Sequence, residues 1–198
     1  MIKLFDEFKD HLHDRYATAI AIFFLHSVYE SRATDNAEKS AKLLREFASE
    51  TTFDAENYVA NLIIESSKNC TETHLTEGEL GTGDVHYLID FDMAFLGAEP
   101  SVYKMHARNI RKEYLHLNDK EYNAQRLKDF YTAHFVPYIS LKAIHSLFIV
   151  TLIQLLESFQ ILKLFLQIPN IFATKELRDR YEEQAKQNIA NEIKFLST

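Results

Sequence analysis

Apolar residues recur at helical spacing along most of the chain. Near the N-terminus they follow one another at four-residue steps, opposite a face that carries acidic residues. The positions are Leu4, Phe8, Leu12, Tyr16 and Ile20. This pattern predicts one amphipathic helix over residues 2 to about 26, which becomes almost wholly apolar at residues 17–25 as it enters a core.

The same reasoning predicts further helices. They cover residues 37–49, a segment that opens at 52–54 and leads to 71–74, the stretch 87–97, residues 102–115, a segment from about 119, and residues 175–196. Residues 77–84 contain three of the four glycines and are predicted as a loop. With only four Gly and three Pro in 198 residues, the chain is predicted to be all-α, a single helical-bundle domain over residues 1–198.

One long stretch has a different, apolar composition. Residues 143–156 carry no formal charge. Over residues 138–168 the only formally charged positions are Lys142, Glu157 and Lys163. The uncharged part falls short of the ~20 apolar residues that a membrane-spanning helix needs. The stretch therefore predicts an extra helix near 139–168 that is buried or binds a protein partner or a second copy, and a membrane role is the less favoured alternative.

Charge and cysteine content exclude some classes of function. The formal net charge is −7, which disfavours nonspecific nucleic-acid binding, because such binding relies on Lys and Arg that neutralise phosphates. Cys70 is the single cysteine, so an internal disulfide is excluded and a reducing, cytoplasmic location is expected. The first ten residues include Lys3, Asp6, Glu7 and Asp10, a pattern that does not fit a secretory signal.

Two carboxylates, Asp90 and Asp92, lie inside the apolar run at residues 87–97. Burying an ionised carboxylate is costly unless it is paired or binds a metal. One interpretation is that these residues cap a helix start. The other is that they meet His26 and His74, since imidazole and carboxylate groups are suitable ligands for a divalent metal such as Mn, Fe or Zn.

Several ordered segments resemble one protein family, the predicted metal-dependent HD-superfamily phosphohydrolases, which have an all-α fold. The similar segments are residues 25–29, 35–41, 71–74, 90–97, Tyr103 with 110–114, and the tail from 171 to 189. In the family, these correspond to patterns such as "HD-x-V-Y", "T-x-x-H" and "D-A-D-L-A-x-L-G". The resemblance covers about residues 23–130 and 169–196.

The resemblance implies roles for individual residues. His26 matches the His of the HD pair, and Asp92 matches the distant Asp that also binds the metal; the ion would be Mn, Fe, Co, Ni, Zn or Mg. Asp90 would support Asp92 or act as a helix cap. His74 would serve a phosphate or a second metal. Arg111 would pair with Glu113 or another carboxylate, or contact phosphate, so His74 and Arg111 are the catalytic candidates.

The chain also departs from the family pattern. Ser27 stands where the Asp of the HD pair is expected, and a neutral hydroxyl is a poor metal ligand. The expected early His has no counterpart, because His11 and His13 lie too close to His26 and are predicted to be surface residues. Residues 131–168 are unmatched and represent either a real inserted helix or translated intervening sequence. A shortened gene model would also fit the missing early motif.

Three hypotheses follow. The first is a degenerate HD-domain protein whose activity is weak or lost because two metal ligands are absent. The second is an active phosphohydrolase that acts on a nucleotide or small phosphate ester through His26, His74, Asp90 and Asp92. The third is a partner- or membrane-associated protein that acts through residues 139–168. If the ligand set is incomplete, a buried aspartate should have a raised pKa or a substitute partner such as Arg111 or His74.

Overall fold

The computed structural model describes residues 1–31, 33–124, 126 and 168–196. The unmatched stretch 131–168, and with it the predicted extra helix near 139–168, lies outside these residues except for Ile168.

The described residues form helices joined by turns, and they contain no strand. The helices are α1 (Ile2–Phe8), α2 (Arg15–Phe24), α3 (Asn36–Ser49), α4 (Glu56–Ser66), α5 (Glu72–Leu75), α6 (Asp84–Met93), α7 (Pro100–Glu113) and α8 (Lys175–Leu196), with 3-10 turns at Lys9–His11 and Ala94–Gly97. Residues 119–124 and 126 are also helical. The predicted all-α class is confirmed. Among the helices of this part of the chain, none is long and apolar enough to cross a bilayer.

The prediction of one continuous helix over residues 2–26 is wrong. The chain breaks at Asp14, which has an extended backbone and accepts hydrogen bonds from the N–H groups of Tyr16 and Ala17. The side chain of Asp84 holds this break in place, because its two oxygens accept the N–H groups of His13 and Asp14 at 2.7 and 2.9 Å. The break also resets the helical register, which leaves Tyr16 72% exposed where the pattern predicted a core position. His11 and His13 are exposed, as expected.

The core has two parts, and α6 contributes to both. Leu88 packs with α2, α3 and α4, whereas its neighbour Ile89 packs with α1 and α8. Consecutive helical residues point about 100° apart, so a helix that lies between two layers can bury adjacent side chains in different clusters. Both side chains are fully buried, and each such burial stabilises the fold by roughly 1.5–3 kcal/mol.

Close contact between α8 and the turn after α6 depends on Gly97. A Cβ atom at this position would lie 2.5 Å from Cβ and 2.7 Å from the carbonyl oxygen of Tyr181. The side-chain amide of Asn188 on α8 donates to the carbonyl oxygens of Leu96 and Ala98, both at 2.8 Å. Gly97 therefore allows the backbone approach that these hydrogen bonds require.

We expect Gly97→Ala to lower the free energy of unfolding by about 1–3 kcal/mol, because backbone atoms of Tyr181 block the added methyl group. Urea denaturation measures the change. Gly83→Ala is the control: an added Cβ there would meet only the His86 ring, at 3.5 Å or more, so a smaller loss is expected. Equal losses for the two variants would contradict the close-packing account.

Candidate functional site

His26 and Asp92, the two residues matched to metal ligands, lie in direct contact. His26 follows the end of α2, and Asp92 is in the last turn of α6. His26 Nε2 is 3.1 Å from Asp92 Oδ1, with the two side chains 58% and 30% exposed. The hydrogen bond and the negative charge of Asp92 raise the pKa of His26, while partial burial opposes this effect. The contact joins residues that are 66 positions apart.

Two residues from the segments that resemble the HD family hold the loop that carries His26 in position. Ser40, which is buried on α3, accepts the N–H of Val28 at 3.2 Å. Asn36 binds both the N–H and the carbonyl oxygen of Glu30. These contacts give a structural role to Asn36 and Ser40 of segment 35–41, a role that the sequence pattern alone did not indicate.

Tyr29 connects the same loop to α7. Its hydroxyl donates to Glu113 Oε2 at 2.9 Å, and partial burial together with this carboxylate raises the pKa of Tyr29. The carboxylate of Glu113 therefore binds Tyr29, whereas the resemblance suggested Arg111 as a partner of Glu113. The one sequence feature that pointed to this contact is that Tyr29 and Glu113 both lie in segments that resemble the HD family.

Ser27, which replaces the expected Asp, makes a local contact. Its hydroxyl donates to the carbonyl oxygen of Phe24 at 2.8 Å. A serine hydroxyl has one proton to donate, and here that proton satisfies a carbonyl at the end of α2. The side chain therefore acts as part of the helix terminus.

His74 and Asp90 form a second pair that is buried, with side chains 2% and 0% exposed. His74 Nδ1 accepts the N–H of Thr71 at 2.9 Å, so in the neutral ring the proton is on Nε2. That atom lies 3.9 Å from Asp90 Oδ1, which is too long for a hydrogen bond.

The main contacts of Asp90 are with the start of α8. Its oxygens accept the N–H of Ala173 at 2.9 Å, and the N–H and hydroxyl of Thr174 at 2.7 and 2.6 Å. Burial raises the pKa of Asp90 to about 7, and these hydrogen bonds act in the opposite direction. Asp90 is therefore a helix cap, but for α8 and not for the helix on which it lies.

The two pairs lie on different sides of α6. Side chains two residues apart in a helix point about 160° apart, to nearly opposite sides. Asp90 is therefore directed to His74 and α8, while Asp92 is directed to His26. The four candidate residues thus form two separate pairs.

Arg111 belongs to neither pair. Its guanidinium donates to the carbonyl oxygens of Tyr114 and Leu117 and to Asp119 Oδ1 at 2.8, 3.0 and 2.9 Å. It also lies over the ring of Tyr122, 4.6 Å from the centroid. These contacts close the turn after α7. The carboxylate with which Arg111 pairs is that of Asp119.

The exposed pair matches a metal site only in part. Two neighbouring ligands on an octahedral ion are about 3 Å apart when each bond is about 2.1 Å, and His26 Nε2 and Asp92 Oδ1 have that separation. Zinc sites, however, use three or four protein ligands. Among the described residues, no group of three or more His, Cys, Asp or Glu side chains is placed to hold an ion.

We expect Asp90→Asn to destabilise the protein much more than Asp92→Asn. At position 90 an amide would replace an acceptor that faces three donors, at a cost of about 2–4 kcal/mol. At position 92 only an exposed pair is lost, which costs less than about 1 kcal/mol. Urea denaturation of both variants measures the difference, and comparable losses would contradict the structural assignment of Asp90.

We expect NMR titration to give His26 a pKa above the ordinary histidine value, and Asp92→Asn to lower it. Because the folded-state pKa is raised, the pair stabilises the fold fully below the ordinary histidine pKa, and this contribution disappears as the pH rises through the raised value. Asp54→Asn, at an exposed position, should leave the His26 titration unchanged. An unchanged titration in Asp92→Asn would exclude the pair in solution.

No protein-family model matches this chain, and neither a curated protein nor a solved structure is similar to it. Membership of the HD superfamily therefore stays a prediction from the sequence.

Proposed function

We propose that this chain is a degenerate HD-domain-like protein, whose metal-dependent phosphohydrolase activity is weak or lost and which serves as a scaffold or ligand-binding module. The observation that carries the proposal is that His26 contacts Asp92 while Ser27, at the position of a missing ligand, donates its hydroxyl to the carbonyl oxygen of Phe24. The contact brings together the two residues that the resemblance matches to metal ligands, although His26 lies in the turn after α2 and Asp92 lies on α6.

The surroundings of the pair support loss of activity. His26 Nε2, the atom that would bind an ion, is hydrogen-bonded to Asp92. The adjacent position is Ser27, whose hydroxyl is used at the end of α2. His74 and Asp90 are used elsewhere, at the turn before α5 and at the start of α8. A site with two ligands should bind metal weakly, because metal affinity depends on ligand number and charge.

The second candidate function is an active divalent-metal phosphohydrolase acting on a nucleotide or small phosphate ester. The observation that favours it is the 3.1 Å separation of His26 Nε2 and Asp92 Oδ1, which suits two adjacent ligands of one ion. Mg²⁺ sites often use one or two carboxylates and complete their coordination with water and substrate phosphate. The hypothesis of a partner- or membrane-associated protein concerns residues 139–168, which lie outside the described residues apart from Ile168.

We expect the purified protein to carry much less than one equivalent of divalent metal, measured by elemental analysis. Ser27→Asp adds a charged ligand next to His26 and should tighten Mn²⁺ binding at least tenfold, measured by calorimetry. A tenfold change corresponds to about 1.4 kcal/mol, a modest gain for a new carboxylate ligand.

Ser67→Asp is a matched control for this experiment. Ser67 is also exposed and its hydroxyl also donates to the carbonyl oxygen three residues earlier, that of Ile64. The control adds the same charge away from His26 and should not change Mn²⁺ affinity. Stoichiometric metal in the unmodified protein would contradict the degenerate assignment.

A screen of phosphate esters with Mn²⁺, Co²⁺, Ni²⁺ and Mg²⁺ separates the two candidate functions. Turnover above that of a His26→Ala/Asp92→Ala double variant would support the active enzyme. Turnover equal to that of the double variant would support the degenerate protein.

A further inference from the structure

The loop between α5 and α6, residues 76–83, is held by the side chain of His86. The imidazole Nδ1 of His86 accepts the N–H of Gly83 at 3.1 Å, and the N–H of His86 donates to the carbonyl oxygen of Gly83 at 2.9 Å. Gly83 is the residue directly before α6. A side chain in the first turn that accepts this N–H satisfies a donor that the helix itself leaves without a partner. His86 therefore fixes the end of the loop at the start of the helix.

The ring of His86 also lies directly against Gly81. A Cβ atom at Gly81 would lie 2.4 Å from Cγ and 2.6 Å from Nδ1 of the ring, so glycine allows the backbone to lie against the imidazole. Gly81 is buried, and its N–H donates to the carbonyl oxygen of Ala173 at 2.9 Å. Through this hydrogen bond the loop contacts the segment that leads into α8.

These contacts require the neutral form of His86. Because Nδ1 accepts a hydrogen bond, the proton of the neutral ring is on Nε2, which lies 3.5 Å from Thr73 Oγ1 of α5. Burial lowers the pKa of His86, so the neutral form is favoured in the folded protein. A second proton would point an N–H at the N–H of Gly83. It would also put a positive charge in the first turn of α6, where the helix dipole disfavours cations.

The charged and titratable groups on the elements around His86 bind other partners or face solvent. Those with partners of their own are the side chains of His74, Asp84, Tyr87, Asp90, Glu176 and Arg178. Those that face solvent are Glu72, Glu77, Glu79 and Lys175. None of the described carboxylates forms an ion pair with the imidazole, so none would stabilise its protonated form while the loop is closed.

We propose that the loop at residues 76–83 is a pH-sensitive switch, closed against neutral His86 and opened when His86 takes up a second proton. Opening breaks the hydrogen bond from Gly81 to Ala173 and exposes the backbone of the loop. Because the closed loop binds the neutral ring, its stability is complete above the ordinary histidine pKa and decreases as the pH falls below that value. This inference is independent of the proposed function.

Amide hydrogen exchange, measured by NMR, tests the switch, because the buried N–H of Gly81 exchanges when the loop opens. The reference is the N–H of Leu44, which is buried in α3. We expect the protection factor of Gly81, relative to that of Leu44, to fall at least fivefold between about pH 7.5 and about pH 5. The midpoint should coincide with the titration of the His86 imidazole. Equal protection at both pH values, or a different midpoint, would overturn the proposal.

His86→Gln separates the role of the acceptor from that of its charge. Glutamine is an ordinary residue at this position of a capping box, and its amide accepts the same N–H without titrating, so Gly81 should stay protected at both pH values. His106→Gln, at an exposed position on α7, is the matched control and should leave the pH dependence unchanged. A pH dependence that persists in His86→Gln would assign it to another group, such as His74, and overturn the proposal. If His86→Gln does not fold, the comparison of midpoints in the unsubstituted protein decides.

Discussion

The need to satisfy buried carboxylates of α6 determines how the described elements are arranged. Asp84 at its first turn binds the N–H groups of His13 and Asp14, and Asp90 binds those of Ala173 and Thr174. A carboxylate removed from water is costly unless such donors replace its hydration. The donors come from opposite ends of the chain, so α6 is the element on which both termini are assembled.

This constraint separates two aspartates that look equivalent in the sequence. Asp90 is fully buried and uses its oxygens to hold the start of α8, whereas Asp92 is partly exposed and meets His26. The helical period explains the difference, because residues two apart cannot face the same neighbour. Asp90 thus stabilises the fold, and Asp92 is the aspartate whose side chain reaches the surface.

Much of the fold was predictable because helix formation depends mainly on local pattern. The helices at residues 37–49 and 175–196 are predicted nearly to their observed ends, and Ala185 and Ile189, four residues apart on one helix face, are both fully buried. The break before α2 was not predictable in this way. It depends on Asp84, which is 71 positions from His13, and the spacing of apolar residues carries no information about such a distant acceptor.

The sequence by itself determined the all-α class, the positions of most helices and the set of candidate residues, because periodicity and residue type are local properties. The tertiary structure alone decided which partners those residues meet. His26 meets Asp92 across 66 positions, Asp90 meets Thr174 across 84, and Arg111 closes a turn with Asp119. Pairing depends on how the helices pack and on which side chains are desolvated together. The spacing of residues along one helix determines neither.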